Sequence, residues 1–457
     1  MGEKASFEER DEVTFGAQRV PVLGTYDTVV VGGGTAGASA AISAARGGNR
    51  TLVVEKASML GGTPVRALVT PMMPSWVPTH EENFRAIEAR LRERGLETRG
   101  DKGLMGYVWF TPEAMAETLD ELLAEAGGSV LFDATLVGVV RGEDPALEAV
   151  VLMCAEGLVA VRAAQFVDAT GDAVLSRLAG VPACAGDDEG NNQMSSLRFE
   201  MGGIDVETYR AYCLSLGDEF SPLKTGYFWE SAMVAGKGFK LEPTFREGVE
   251  RGLLEEDDLV YYQCFSLPGE PGCMAFNCPH LPKLRRNTSA MARSEALAEG
   301  RRKTRRYVNF LRACMPGFEH AFLIRQATML GVRESWRIHG KYTFTQDDYL
   351  ARARFDDAVS KGDWYIDVHS ATKGLVHMDK FERGEYYEIP YRCLVNDVVP
   401  NMLTVGRCIS VNFLAQASIR IQPTLIDMGD SAGKACARAL AAGVMLADFD
   451  GRGLTAR

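Results

Sequence analysis

The sequence predicts an α/β protein, a Rossmann-like domain interrupted by an inserted α+β domain, and three observations predict it. Residues 26–55 run strand, glycine turn, small-residue helix, strand and acid in that order. Buried-strand texture returns at Phe166–Asp172 and at Asn401–Cys408, so both ends of the chain contribute to one parallel sheet. The stretch between is richer in aromatics and charge, with mixed strand and helix signals at Phe199–Ile204, Tyr261–Phe265 and Met274–Asn277, which makes the first domain discontinuous. The expected divisions are an N-terminal arm over 1–25, the Rossmann-like domain over 26–185 and 381–457, and a substrate or cap domain over 186–380.

Within the first motif, Thr28–Val31 is a β-branched run suited to a strand buried on both faces. Gly32 allows a tight turn, Gly34 lets a backbone approach without a Cβ in the way, and Gly37 lets the next helix lie close on the sheet. Thr35 and Ala36 open that helix, which runs to about Arg46 and presents free N–H groups and a partial positive charge. Thr51–Val54 forms the second strand, and Glu55 falls where a carboxylate accepts from both hydroxyls of an adenosine ribose. The full order of elements, rather than the glycines alone, points to an adenine dinucleotide.

At 457 residues and 46% hydrophobic, the chain can bury a large core and form two domains. A formal net charge of −11 argues against nucleic acid or an anionic membrane as the main partner. The basic run from Lys283 to Arg306 has helical spacing and reads as a solvated or interdomain face. No apolar run approaches the ~20 residues of a membrane span. The acidic start, with Glu3, Glu8, Glu9, Asp11 and Glu12, is wrong for export, so a cytoplasmic protein is expected; Met1-Gly2 with Ser6 matches only a bare myristoylation pattern. Ten cysteines include no C-x-x-C pair and are expected to be reduced and mostly buried. Cys264, Cys273, Cys278 and His280 form the one cluster, which reads as strand residues more readily than as metal ligands.

Further motifs extend the nucleotide reading. Gly61, Gly62 and Thr63 allow the chain to pass beneath the cofactor and offer a hydroxyl to phosphate, or else form an ordinary turn. Ala169, Thr170 and Gly171 follow a strand and are small enough to approach the adenine side. Gly406 and Arg407 follow another buried strand, and Pro423 and Thr424 open a C-terminal helix rich in Gly, Ala and Ser.

On these segments the chain resembles the FAD-dependent oxidoreductases of the glutathione-reductase-like superfamily, related to fumarate reductase and succinate dehydrogenase flavoproteins. The likeness rests on Val29–Gly37, Leu60–Gly62, Asp168–Asp172, Gly331–Glu334, Tyr342–Thr345, Ile366–His369, Tyr386–Arg392, Gly406–Ser410 and Ser418–Arg420. Cys278-Pro279 and Asp430 depart from it. The resemblance implies FAD at a domain interface, with the C-terminal helix N-terminus aimed at the flavin pyrimidine edge to stabilise charge on reduction. No histidine lies in Gly61–Arg66, so the FAD is expected to be non-covalent, and no second dinucleotide motif provides a separate nicotinamide domain. The absence of C-x-x-C argues against disulfide reduction.

Hydride transfer needs a substrate carbon beside the flavin and a group that exchanges a proton. His369, at the end of a strand-like run, is the best candidate, because histidine exchanges a proton near neutral pH; a hydrogen-bonded structural histidine is the alternative. Arg420 can bind a substrate carboxylate or the flavin carbonyl. Arg333 and Arg337 share a helical face beside Glu334, which suits either substrate binding or a buried ion pair. Tyr387 and Tyr391 are weaker candidates, and His280 and His377 read as structural or solvent-facing. The expected function is a dehydrogenase or reductase moving a hydride between a small organic substrate and FAD, with an unknown electron donor or acceptor and possible homo-oligomerisation. A flavin oxidase and an electron-relay subunit without its own substrate site are the alternatives.

Overall fold

The protein is described by a computed structural model over residues 19–94, 98–99, 107–142, 145–370, 374–378 and 380–455. The acidic start and most of the expected N-terminal arm lie outside these described residues, as does the side chain of His377.

The main sheet has seven strands: β1 (Val22–Val31), β2 (Thr51–Val54), β3 (Ser129–Leu131), β4 (Thr135–Arg141), β5 (Leu147–Cys154), β6 (Gly157–Asp168) and β7 (Met402–Thr404). Their order is β3-β2-β1-β6-β5-β4, with β7 added to the end of β6. Strands β3, β2, β1, β6 and β7 run parallel, whereas β4 and β5 form an antiparallel extension. The β-branched residues Val29, Val30 and Val31 and the run Leu52–Val54 are nearly devoid of solvent exposure, as a sheet covered on both faces demands. Because β7 pairs with Phe166–Asp168, chain segments more than 230 residues apart end side by side at one sheet edge.

Helix α1 (Thr35–Arg46) follows β1, and helix α2 (Gln422–Ala442) lies along it. Small residues set this contact: a Cβ on Gly429 would stand 2.2 Å from the Ala36 carbonyl oxygen, and one on Gly433 2.2 Å from that of Ala40. Asp430, which departs from the expected neutral pattern, is fully buried and anchors the packing. It accepts from Ser43 Oγ at 2.9 Å and the Asn83 amide at 2.9 Å, and pairs with Lys434 at 2.9 Å. A buried carboxylate so supplied is a structural fastener.

The middle of the chain contains a five-stranded antiparallel sheet in the order 230–233, 262–266, 274–276, 199–202, 322–326. It has its own aromatic core, in which Phe199 and Phe276 stack at 4.5 Å. The helix Ala290–Cys314 packs here, capped by Ser289 Oγ accepting from the Ala292 amide. Its basic run is not wholly solvated: Lys303 is buried and pairs with Asp258 at 2.9 Å, while Arg301, Arg302 and Arg305 are exposed. Cys264 and Cys278 are buried free thiols of this region. Among the described residues no group of His, Cys, Asp and Glu stands where it could hold a metal, and no helix is long and apolar enough to cross a membrane.

The expected helical face at Arg333–Arg337 is not found. Residues 332–336 are non-helical and Arg337–Ile338 is a strand. The cause is Glu334, fully buried, whose carboxylate accepts from the Gly186 amide at 3.0 Å, from Asn192 Nδ2 at 2.7 Å and from Arg337. Satisfying one buried charge from three directions fixes a stretched chain, and Arg333 turns towards the cavity described next.

Candidate active site

A cavity of about 1350 Å³ opens at the C-terminal ends of β1, β2 and β6. That exceeds the roughly 300–1,000 Å³ of an ordinary ligand pocket, leaving room for a dinucleotide and a second molecule.

At one end the glycine turn forms its wall. Gly32 has φ +104°, and a Cβ there would lie 2.4 Å from the Ala169 carbonyl oxygen; a Cβ on Gly37 would lie 1.9 Å from the Gly32 carbonyl oxygen. Gly34 differs in kind, since a Cβ on it meets nothing within 4 Å and would project into open space. The N-terminus of α1 has no side-chain cap, so its amides are left for an anion in the cavity, beside Thr35 and Ala36. Glu55 holds the turn: one carboxylate oxygen accepts from the Gly33 amide at 2.7 Å and the other from the Ala57 amide at 2.9 Å. Gly61 donates to the Gly33 carbonyl at 2.8 Å, and Gly62 and Thr63 line the cavity next to it.

Ala169, Thr170, Gly171, Gly406 and Arg407 also line the cavity. Asp168 sets the loop after β6 by accepting from Thr170 and Ser176 through both amides and both hydroxyls. Asp172 then receives Arg293 at 2.7 Å, Arg407 at 2.5 Å and Ser335 Oγ at 2.6 Å. Burial opposes its charge, but Arg407 and Arg293 outweigh burial and hold the carboxyl well below the usual range. Asp172→Asn is expected to destabilise the fold by about 1–3 kcal/mol, as loss of the charge from a half-buried, hydrogen-bonded ion-pair network does; chemical denaturation of the variant against wild type measures it. Pro423 and Thr424 stand one step behind the wall, which Ile421, Gln422 and Leu425 form instead. The N-terminus of α2, where they sit, is likewise without a side-chain cap.

At the other end lies a buried polar cluster. His369, on the strand Ile366–Ser370, places Nε2 3.2 Å from Asp367 Oδ2 and Nδ1 3.0 Å from His280 Nε2. Arg420 donates to the Asp367 carboxylate at 3.2 Å and carbonyl at 3.1 Å. Arg333 donates to the Met194 carbonyl at 2.7 Å and reaches His280 Nε2 at 3.2 Å. Arg198 and Tyr261 line the same space. Sequence reasoning brought forward His369, Arg420 and Arg333, which the fold assembles together. It missed Arg198, Asp367 and the partnership of His280, which it read as structural or solvent-facing. His280 is 2% exposed and stacks on His369 with ring centres 5.1 Å apart. Tyr387 and Tyr391 are core residues off the cavity, bonded to Ser418 Oγ at 2.7 Å and the Leu446 carbonyl at 2.8 Å.

Proton counting gives this cluster a direction. A carboxylate only accepts, so His369 Nε2 carries its proton and donates it to Asp367 Oδ2. His369 Nδ1 is then the acceptor of the ring, 3.0 Å from His280 Nε2, which donates to it. Burial, and then the charge of Arg333, push the His369 imidazolium down to about 4 against the pull of Asp367. His369 is therefore not poised near neutrality; at pH 7 it is a neutral imidazole whose Nε2–H is held by Asp367 and whose acceptor is Nδ1. Burial pushes His280 well below its ordinary value too. Both shifts are downward, so the unfolded chain binds protons that the folded one refuses. The contribution of these two histidines to stability is expected to be constant above pH ~6.5 and to fall as pH drops towards ~4, and the difference between wild type and His369→Gln in denaturation curves recorded across the window isolates the part that belongs to His369.

Fold and site together define a Rossmann-like protein in which a glycine turn with an uncapped helix N-terminus and a polar cluster of His, Asp and Arg share one cavity. More specifically, the chain belongs to the FAD dependent oxidoreductase family, whose model matches residues 27–457. FAD is accordingly its cofactor, and the open space at Gly34, the uncapped helix N-termini and the size of the cavity fit it. Curated relatives include a digeranylgeranylglycerophospholipid reductase of Methanoculleus marisnigri, 30% identical over 45% of this chain and 52% of that protein. A 4-oxocyclohexanecarboxylate 2-dehydrogenase of Sinomonas cyclohexanicum is 39% identical over 22% of this chain and 15% of that protein. The chain thus spans about half the length of the first of these relatives and less of the second. Among solved structures, a geranylgeranyl bacteriochlorophyll reductase-like protein of Thermoplasma acidophilum aligns over 92% of this chain and 79% of its own, at 15% identity and a TM-score of 0.49.

Proposed function

We propose that the protein is a dehydrogenase or reductase of the glutathione-reductase-like type, related to fumarate reductase flavoproteins, that moves a hydride between a small organic substrate and non-covalent FAD. The single observation that carries this is the shared cavity, with the dinucleotide cradle at one end and His369, Asp367, Arg333 and Arg420 at the other. When bound, the flavin supplies the acceptor or donor of the hydride. Gly32, Gly34, Gly37, Thr35, Ala36, Glu55, Gly61, Gly62 and Thr63 would hold the adenosine and phosphates. Ala169, Thr170, Gly171, Gly406 and Arg407 would line the rest of the cofactor, with Pro423 and Thr424 setting the α2 N-terminus beside it. His369, its Nε2–H held by Asp367, takes the substrate proton at Nδ1 in the oxidative direction and returns it in the reductive one. Arg333 and Arg420 orient the substrate, and the residues 186–380 enclose it. A cavity lined by proton-exchanging groups supports an enzyme over an electron relay, for which an apolar, sealed wall would serve. The reading extends to a cytoplasmic protein with a separate electron donor or acceptor.

Anaerobic mixing of the FAD-loaded protein with NADH, NADPH, a low-potential dye and panels of hydroxy acids, enoates and sugars tests this. Bleaching or recovery of flavin absorbance by an organic compound is the expected result. A flavin that exchanges electrons only with dye or a protein partner would replace the enzyme reading with the relay.

A further inference from the structure

Resting on the flavoenzyme reading above, we infer that the inner end of the cavity binds an organic carboxylate with an apolar body, held by the guanidinium groups of Arg198, Arg333 and Arg420. Three cations line one cavity, and a desolvated cation without a counter-ion is unfavourable. One carboxylate answers them: Asp367, paired with Arg420 at 3.2 Å and already shared with His369. Among the described residues no ion pair joins Arg198 or Arg333 to any carboxylate. They donate instead to main-chain carbonyls, Arg198 to Leu68 at 3.2 Å and Arg333 to Met194 at 2.7 Å. Arg420 Nε is buried without an acceptor. Burial, with repulsion from Arg420, lowers Arg333 to about 9 and Arg198 to about 10, the direction expected of cations short of an anion.

The anion that these guanidinium groups suit is assigned to the substrate rather than to the cofactor phosphates, because the latter have the uncapped N-terminus of α1 at the glycine turn. Guanidinium forks match a planar carboxylate with two parallel hydrogen bonds, which a lysine cluster would not favour. The surroundings describe the rest of the molecule. Tyr261 lies on the wall beside the cations, and Trp364 and Tyr365, stacked at 4.7 Å, line the same cavity. A carboxylate anchored on the arginines would hold its neighbouring carbons beside His369, which lines the same cavity.

The test titrates FAD-loaded protein with benzoate and hexanoate against benzamide and hexanamide, following flavin absorbance and heat of binding. The expected result is a preference of about ten- to a hundredfold for each acid over its amide, the worth of a charge-assisted contact. Arg333→Gln and Arg198→Gln are expected to erase most of that preference, and Arg333→Lys to restore part of it. Acids and amides that bind alike, or not at all, to protein retaining stoichiometric FAD would overturn the carboxylate site and leave the flavoenzyme reading standing. Protein that takes up no FAD would sink both. The acid and amide comparison uses wild-type protein, so it decides even where an arginine variant fails to fold.

Discussion

Gly34→Val is expected to weaken FAD binding by about a hundredfold, or about 2.8 kcal/mol at 1.4 per tenfold, while leaving the melting temperature of the apoprotein close to wild type. Gly34 has φ −67°, which any residue adopts, and a Cβ there meets no atom of the protein within 4 Å. The added side chain therefore costs the fold little and occupies the space the pyrophosphate needs. Neighbouring glycines give the contrast. Gly37→Ala would place its Cβ 1.9 Å from the Gly32 carbonyl oxygen and is expected to destabilise the chain itself, by about 3 kcal/mol or more. Isothermal titration of FAD into each variant, with thermal denaturation of the apoprotein alongside, separates a cradle from a packing position.

His369→Ala is expected to slow substrate-driven flavin reduction by about 10²–10⁴-fold, the range of a lost general base, with FAD still bound. The pH profile carries more information than the rate. A histidine acting near its ordinary value would bend the acid limb of kcat/KM near 6.5, whereas burial and Arg333 set that limb near 4. The sign follows from the base role: activity is lost only when the neutral imidazole takes up its second proton, so the plateau extends well below neutrality. His280→Gln, which removes the partner of Nδ1, is expected to move the acid limb without abolishing turnover. A merely structural His280 would lower the amount of folded protein and leave the limb where it was.

The two ends of the cavity were unequally legible in the sequence. The strand, glycine turn and helix were legible because each residue type there answers a local demand: glycine where a Cβ would collide or project, and β-branched strands; Glu55, expected to accept from a ribose, holds the Gly33 and Ala57 amides, which the sequence did not show. β7 and the loop after β6 were also recognised, because short buried strands running into glycine carry their own signal. The polar end, with His369 and the arginines, depends on contacts that no local pattern encodes. His280 and His369 meet across 89 residues from two separate short strands, and Arg198 precedes a strand in which nothing marks it as cavity-facing. The one available hint was Cys278-Pro279, an unusual pair just before His280. The helical reading of Arg333–Arg337 failed for a related reason. Charge spacing suggested an i,i+4 face, but the burial of Glu334 against Gly186 and Asn192 is a tertiary fact that overrides spacing.

Measuring the FAD dissociation constant and the limiting rate of anaerobic flavin reduction on the same samples of Gly34→Val and His369→Ala tests the account most directly. A cofactor cradle and a proton-exchanging cluster at opposite ends of one cavity predict a crossed result. Gly34→Val raises the dissociation constant and reduces normally once saturated with FAD; His369→Ala binds FAD as wild type does and reduces slowly. Normal FAD affinity in Gly34→Val, together with unchanged reduction in His369→Ala, would contradict both assignments and with them the proposed division of the cavity.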